Sequence, residues 1–132
     1  MAYEGPQIKL VGLTAAADLS AAGNQYKFVE IVGNNSVNVC NGATDRPVGV
    51  LQNRPKSGEA AEVVAIGVTK VQADAQLTAG LLIGTSADGQ ADAKTVGTDT
   101  TEYIVGTVLQ GASAAGALAT ALINCASPAR AA

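Results

Sequence analysis

The sequence contains no histidine and no tryptophan, and aromatic residues make up only 3% of its 132 positions. Histidine is the commonest general base near neutral pH and the commonest metal ligand in proteins. Ser57 follows Lys56, but adjacent side chains of an extended segment point apart, which argues against an activated serine. We therefore expect a protein that is not an enzyme and that carries no metal ion and no cofactor.

Clustered positive charge is also missing. The eight Lys and Arg residues are scattered singly and the net charge is −3, whereas nucleic-acid grooves need grouped basic side chains. No apolar run approaches the roughly 20 residues of a membrane-spanning helix. Residues 1–12 lack the basic and apolar regions of a signal peptide. The sequence thus predicts no direct contact with nucleic acid or membrane, and synthesis in a cytoplasm.

The two cysteines, Cys40 and Cys125, are far apart in the sequence and fit no common metal-binding spacing. In a reducing compartment we interpret them as small buried hydrophobic side chains. A disulfide remains the alternative, provided that the strands carrying them are neighbours.

Short clusters of Val, Ile and Leu between turns rich in Gly, Asn and Asp dominate the rest of the chain. Such clusters are typical of strands, and turn signals recur about every 8–12 residues, as in barrels and sandwiches. We predict strands at residues 26–32, 37–40, 48–51, 61–71, 81–84, 90–94, 103–109 and 117–124. Gly49 indicates a close backbone approach or a bulge, and Gly67 indicates a bend. The fold class is all-β in one domain.

The N-terminal segment, residues 7–11, alternates apolar and polar residues but has no hairpin partner nearby in the sequence. It is either the first strand of the domain or an arm that pairs with another chain. We divide the chain into an extended arm (1–13), a β domain (14–126) and a flexible C-terminal tail (127–132).

One stretch of the chain, Val48 to Val68, resembles the capsid cement or head decoration proteins of tailed phages, once grouped as a domain of unknown function. The resemblance rests on the sequence VGVLQNRP at 48–55, the pair Gly58-Glu59, and VVAIGV at 63–68. The elements LTAGLL at 77–82 and GTVLQG at 106–111 are similar to later parts of the same family.

This resemblance implies a small β-barrel or β-tulip-like domain that binds the outer capsid surface as a homotrimer. Such proteins sit at three-fold and quasi-three-fold positions and stabilise the expanded head. The implied partners are the major capsid protein and further copies of this chain, and the implied location is the virion. In similar proteins an N-terminal arm adds a strand to the capsid protein, which assigns capsid binding to Gln7, Ile8, Lys9, Leu10 and Val11.

The polar loop that contains Arg54, Lys56 and Glu59 is a possible contact loop, with a solvent-exposed turn as the equal alternative. Two other functions stay open. One is a different virion module, such as a tail or spike component. The other, which we rank lower, is a carrier domain that presents a modified lysine, because Lys70 lies in a predicted strand and Lys94 lacks flanking methionines.

Overall fold

The computed structural model describes residues 2–132, so Met1, the first residue of the predicted arm, lies outside the described residues. The all-β class is confirmed, since the helical structure among these residues is a single 3-10 turn at Ala22–Asn24. The strands are β1 Gln7–Leu10, β2 Thr14–Ala15, β3 Phe28–Gly33, β4 Ser36–Val39, β5 Gly49–Leu51, β6 Val63–Gln72, β7 Leu82–Thr85, β8 Ala91–Ala93, β9 Tyr103–Ile104, β10 Gly106–Gln110, β11 Leu118–Asn124 and β12 Ala129–Arg130.

Ten strands form one sheet in the order β2-β4-β3-β5-β6-β11-β10-β7-β8, with β1 attached to β6 beside this path. All of its pairs are antiparallel except β2 with β4. Within residues 2–132 the order does not return to its start, so this sheet is not closed as a barrel. The strands β9 and β12 form a separate two-stranded sheet.

The long strand β6 holds the sheet together because it pairs with β5, β11 and β1. Gly67 in its middle has a φ of +130°, and a Cβ atom there would lie 2.2 Å from the carbonyl oxygen of Pro6. Only glycine therefore lets β1 pack this closely against β6. The close approach predicted at Gly49 is confirmed, since a Cβ there would lie 2.4 Å from the carbonyl oxygen of Val64.

Two groups of buried side chains form the core, as the aliphatic clusters predict. The larger contains Phe28, Val50, Val71, Ile83 and Ile123, and small alanines fill the space between them. The smaller lies under β2, β4 and the start of β6, and includes Leu13, Leu19, Val37 and Leu51. Burying each large aliphatic side chain stabilises the fold by about 1.5–3 kcal/mol. These side chains supply the hydrophobic stabilisation that aromatic residues provide in other cores.

The end of the chain packs on the domain. The segment predicted as one strand at 103–109 is divided at Val105, and its first part pairs with β12. Within the stretch predicted as a tail, Ala131 is fully buried and its N–H donates to the carbonyl oxygen of Glu102 at 3.0 Å. In residues 2–132 the structure contains no helix that is both long and apolar enough to span a membrane.

Candidate functional site

Strand β1, the segment predicted to bind a capsid, lies on the edge of its own sheet. Its four residues pair antiparallel with β6, and Gln7 Nε2 donates to the carbonyl oxygen of Val68 at 2.9 Å. No strand among the described residues pairs with the opposite edge of β1. Ile8 is 58% exposed and Val11 is 93% exposed. The structure thus places an unpaired strand edge and two exposed apolar side chains together, an arrangement that accepts an added strand.

In the loop predicted as a contact site, two of the three candidate side chains form hydrogen bonds to backbone groups. Arg54 Nε donates to the carbonyl oxygen of Ser20 at 2.8 Å, and Glu59 Oε1 accepts from the Lys56 N–H at 2.7 Å. Both contacts fix the shape of the loop. The Lys56 side chain forms no ion pair or hydrogen bond within residues 2–132 and is exposed, so it is the member of the set that is available to a partner.

The end of β1 and the flanks of this loop meet at a groove of about 400 Å³. Leu10 and Val11 line one side, and Asn53 and Ala60 line the other. An ion pair between Lys9 and Glu62 lies beside it, with both side chains nearly half exposed. Two segments predicted separately from the sequence are therefore neighbours in space, and together they form a mostly apolar groove beside an open strand edge.

A second exposed surface, here called the leucine face, was not predicted. Leu82 on β7, Thr107 on β10 and Leu122 on β11 lie in one row across the sheet, because Thr107 is in register with both leucines. Leu82, Leu118 and Leu122 are 37%, 37% and 49% exposed. Leu118 and Leu122 are four residues apart on β11, a strand spacing that places them on the same face. That spacing is the sequence signal that could have found this surface.

Three groups that can bind a metal ion, from β3 and from the loop after β4, lie close together. The ligand atoms of Glu30, Cys40 and Asp45 all lie within 4.8 Å of one another. Partial burial and the adjacent Asp45 carboxyl raise the pKa of Glu30 to about 7. Burial raises the pKa of the Cys40 and Cys125 thiols to about 12, so both are protonated at neutral pH. No sequence motif joins these residues.

The lysines considered for a carrier function are not displayed at a hairpin tip. The Lys94 side chain is fully buried, forms ion pairs with Glu102 and Asp92, and donates to the carbonyl oxygen of Thr85 at 2.9 Å. The Lys70 ammonium lies over the ring of Tyr26, 5.7 Å from its centre. A modifying enzyme needs an accessible lysine, so this geometry argues against covalent attachment at either position.

Comparison with known proteins identifies the fold. No family model matches the chain, and no curated protein matches it. Among solved structures, the N base of the head fiber gp8.5 of bacteriophage phi29 aligns with a TM-score of 0.65 and 17% sequence identity, over 91% of this chain and 96% of that one. A chain from the capsid of Myoviridae phage XM1 aligns with a TM-score of 0.62 and 15% identity, over 91% of this chain and 84% of that one. At these identities the similarity establishes a shared fold.

Proposed function

We propose that the protein is a structural, non-catalytic component of a phage head that binds the outer surface of the capsid and stabilises the expanded shell. The fold is the observation that supports this most directly. The alignment covers nearly the whole of this chain and nearly the whole of a head-fiber base, so the complete domain is shared. The cement-protein resemblance of residues 48–68 favours the same role independently.

We assign capsid binding to β1 and the adjoining groove. A free arm that folds only on the capsid would have to order its backbone on binding, at a cost of roughly 1–2 kcal/mol per residue. Here Gln7–Leu10 are already ordered on β6. A strand of the major capsid protein would add to the open edge of β1, and its side chains would occupy the groove beside Val11 and Ala60. Lys56 is a further proposed contact at the rim of this surface.

Binding of several linked copies to the capsid would give an affinity that a single surface of this kind lacks. A strand edge with a small groove is a weak interface by itself. In a homotrimer at a three-fold position, three copies would bind together, and the second and third contacts would form at a high effective concentration. The proposed trimer thus turns three shallow contacts into stable decoration of the shell.

The test is binding of the purified protein to expanded, undecorated capsids, measured by co-sedimentation. We expect Ile8→Lys and Val11→Lys to weaken binding strongly, because a charge on an edge strand opposes strand addition. Val96→Lys is the matched control, since Val96 is also 58% exposed but lies in the loop after β8. Failure of the folded wild-type protein to bind would reject the capsid role. Equal binding by Ile8→Lys and Val96→Lys would reject only the assignment of β1.

The base of a head fiber or spike is the second candidate, and the alignment with the phi29 head-fiber base favours it. In that role the protein would also bind the capsid, but it would carry a further fibrous chain or domain. Imaging of intact particles separates the two functions. Density that ends at this domain supports a cement protein, whereas a fiber that continues from each copy supports a fiber base.

A further inference from the structure

The carboxyl and thiol groups at one end of the sheet come together through strand register. Glu30 on β3 is opposite Asn38 on β4, and Cys40 lies two residues beyond Asn38, so all three share a face. Phe28, two residues before Glu30, belongs to the same face and is buried in the core. Glu30 and Cys40 therefore point to the inner side of the sheet, where a carboxylate is unusual.

Asp45 reaches this pair from the loop after β4. Its Oδ2 atom accepts the N–H groups of Asn41 and Gly42, each at 3.0 Å. These two contacts fix the carboxyl group and leave Oδ1 directed to other partners. Glu30, Cys40 and Asp45 thus present two carboxylate oxygens and one sulfur within 4.8 Å of one another.

Cys125 is an independent observation that points to the same place. It follows β11, 95 positions from Glu30 in the sequence, yet both residues line one cavity of about 340 Å³. Cys125 is only 6% exposed, and its thiol has no hydrogen-bond partner within residues 2–132. The Cys125 sulfur does not belong to the group whose ligand atoms lie within 4.8 Å of one another, so Cys125 borders the cavity beside the three donors and is not itself one of them.

We propose that Glu30, Cys40 and Asp45 form a binding site for one thiophilic divalent cation of the zinc type, with a water molecule from the adjoining cavity as the fourth ligand. Sulfur donors select against Mg²⁺ and Ca²⁺, which prefer oxygen ligands only. Ligand atoms around a tetrahedral zinc ion lie roughly 3.3–3.8 Å apart, so a contraction of about 1 Å closes the set around the ion. The flexible Glu30 side chain and the Asp45 loop provide that movement.

Coordination replaces protons with the cation. The Cys40 thiol loses its proton to the buffer when its sulfur binds the metal as a thiolate, and the two carboxylates bind in their ionised forms. The cavity lined by Glu30, Arg46 and Pro128 gives the cation a path to the site. The residues of this site are separate from β1 and its groove. The metal-site proposal can therefore be tested independently of the proposed capsid role.

The experiment uses the full-length, reduced protein, stripped of metal with a chelator and titrated with Co²⁺, a spectroscopic substitute for Zn²⁺. We expect one Co²⁺ per chain, the intense visible bands of four-coordinate cobalt, and a thiolate-to-metal charge-transfer band. Added Zn²⁺ should remove these bands, and added Mg²⁺ should not. A weak six-coordinate spectrum without a charge-transfer band, or no uptake, would overturn the proposal.

Variants assign the ligands. Cys40→Ser should lose the charge-transfer band, Cys125→Ser should keep it, and Glu30→Gln should lose affinity for Co²⁺. Asp88→Asn, which changes an exposed carboxylate in a turn, is the matched control and should keep the wild-type spectrum. If a cysteine variant does not fold, alkylation of the wild-type thiols decides. Zn²⁺ should slow the alkylation of Cys40 relative to Mg²⁺, and equal rates for Cys40 would reject the site.

Discussion

Lys94 shows how a single residue connects distant parts of the domain. Its fully buried ammonium binds Glu102 and Asp92, whose side chains are 20% and 37% exposed, and the carbonyl oxygen of Thr85. An ammonium group buried in this way is stable only when it is paired. It therefore fixes the loop before β9 against β7 and β8, the strands on which Thr85 and Asp92 lie.

We expect Lys94→Met to lower the free energy of unfolding by about 3 kcal/mol. Removing one member of a buried ion pair costs about 3–5 kcal/mol, and partial exposure of both carboxylates keeps this case near the lower limit. The matched control is Lys9→Met, which breaks an ion pair with two half-exposed side chains and should cost at most about 1 kcal/mol. Urea denaturation of both variants measures the difference, and equal losses would contradict the structural role of Lys94.

At the scale of elements, attachment of β1 depends on one glycine. A methyl group on Gly67 would overlap the backbone of Pro6 and Gln7, so β1 would have to move away from β6. We expect Gly67→Ala to destabilise the protein and to increase hydrogen exchange at Ile8 and Leu10.

The control for Gly67→Ala is Gly97→Ala. Gly97 also has a positive φ, of +86°, but a Cβ there meets nothing within 4 Å. The Gly97→Ala variant therefore pays the conformational cost of a positive φ, about 1–3 kcal/mol, but no cost from steric overlap. Gly67→Ala should cost about 2 kcal/mol more than Gly97→Ala. If exchange in β1 is the same in both variants, contact with Gly67 is not what holds the strand.

The C-terminal strand β12 is a second element whose loss can be tested. It pairs with β9, and Ala131 connects it both to Glu102 and to the N–H of Gly97. Deletion of residues 129–132 should lower the melting temperature and expose Tyr103 and Ile104 to hydrogen exchange. Deletion of Ala132 alone, an exposed residue, should change neither. An unchanged melting temperature for the longer deletion would support the flexible tail that the sequence predicts.

Short strands such as β12 could not be predicted from the sequence, whereas long strands could. Long runs such as Val63–Gln72 carry their own β-forming residues, so their strands could be predicted locally. The strands β9 and β12 have two residues each, and their pairing is decided by tertiary contacts that no local pattern contains. The same holds for Glu30, Cys40 and Asp45, which fit no spacing motif. The register of β3 and β4 brings Glu30 and Cys40 together, and the loop after β4 adds Asp45.

At the scale of the whole molecule, the leucine face is an exposed apolar surface of the sheet. Single exposed leucines are ordinary on protein surfaces, but contiguous apolar patches mark contact sites. Leu82 and Leu122 flank Thr107 in one row, and Leu118 lies four residues from Leu122 on β11, beyond Thr120, which is buried and hydrogen-bonded to Tyr3. The face lies on β7, β10 and β11, apart from the β1 edge assigned to the capsid. If the proposed homotrimer forms, this face is the surface that we expect to be covered between copies.

Leu122→Asp should therefore shift the protein from trimer to monomer, because a buried carboxylate without a partner is strongly unfavourable in an interface. Val32→Asp is the matched control, since Val32 is 52% exposed against 49% for Leu122 but lies on β3. Sedimentation velocity over a range of concentrations measures the change. If both variants keep the wild-type distribution, copies do not associate through the leucine face. If Leu122→Asp alone becomes monomeric, its binding to expanded capsids should also weaken, because three linked contacts are reduced to one.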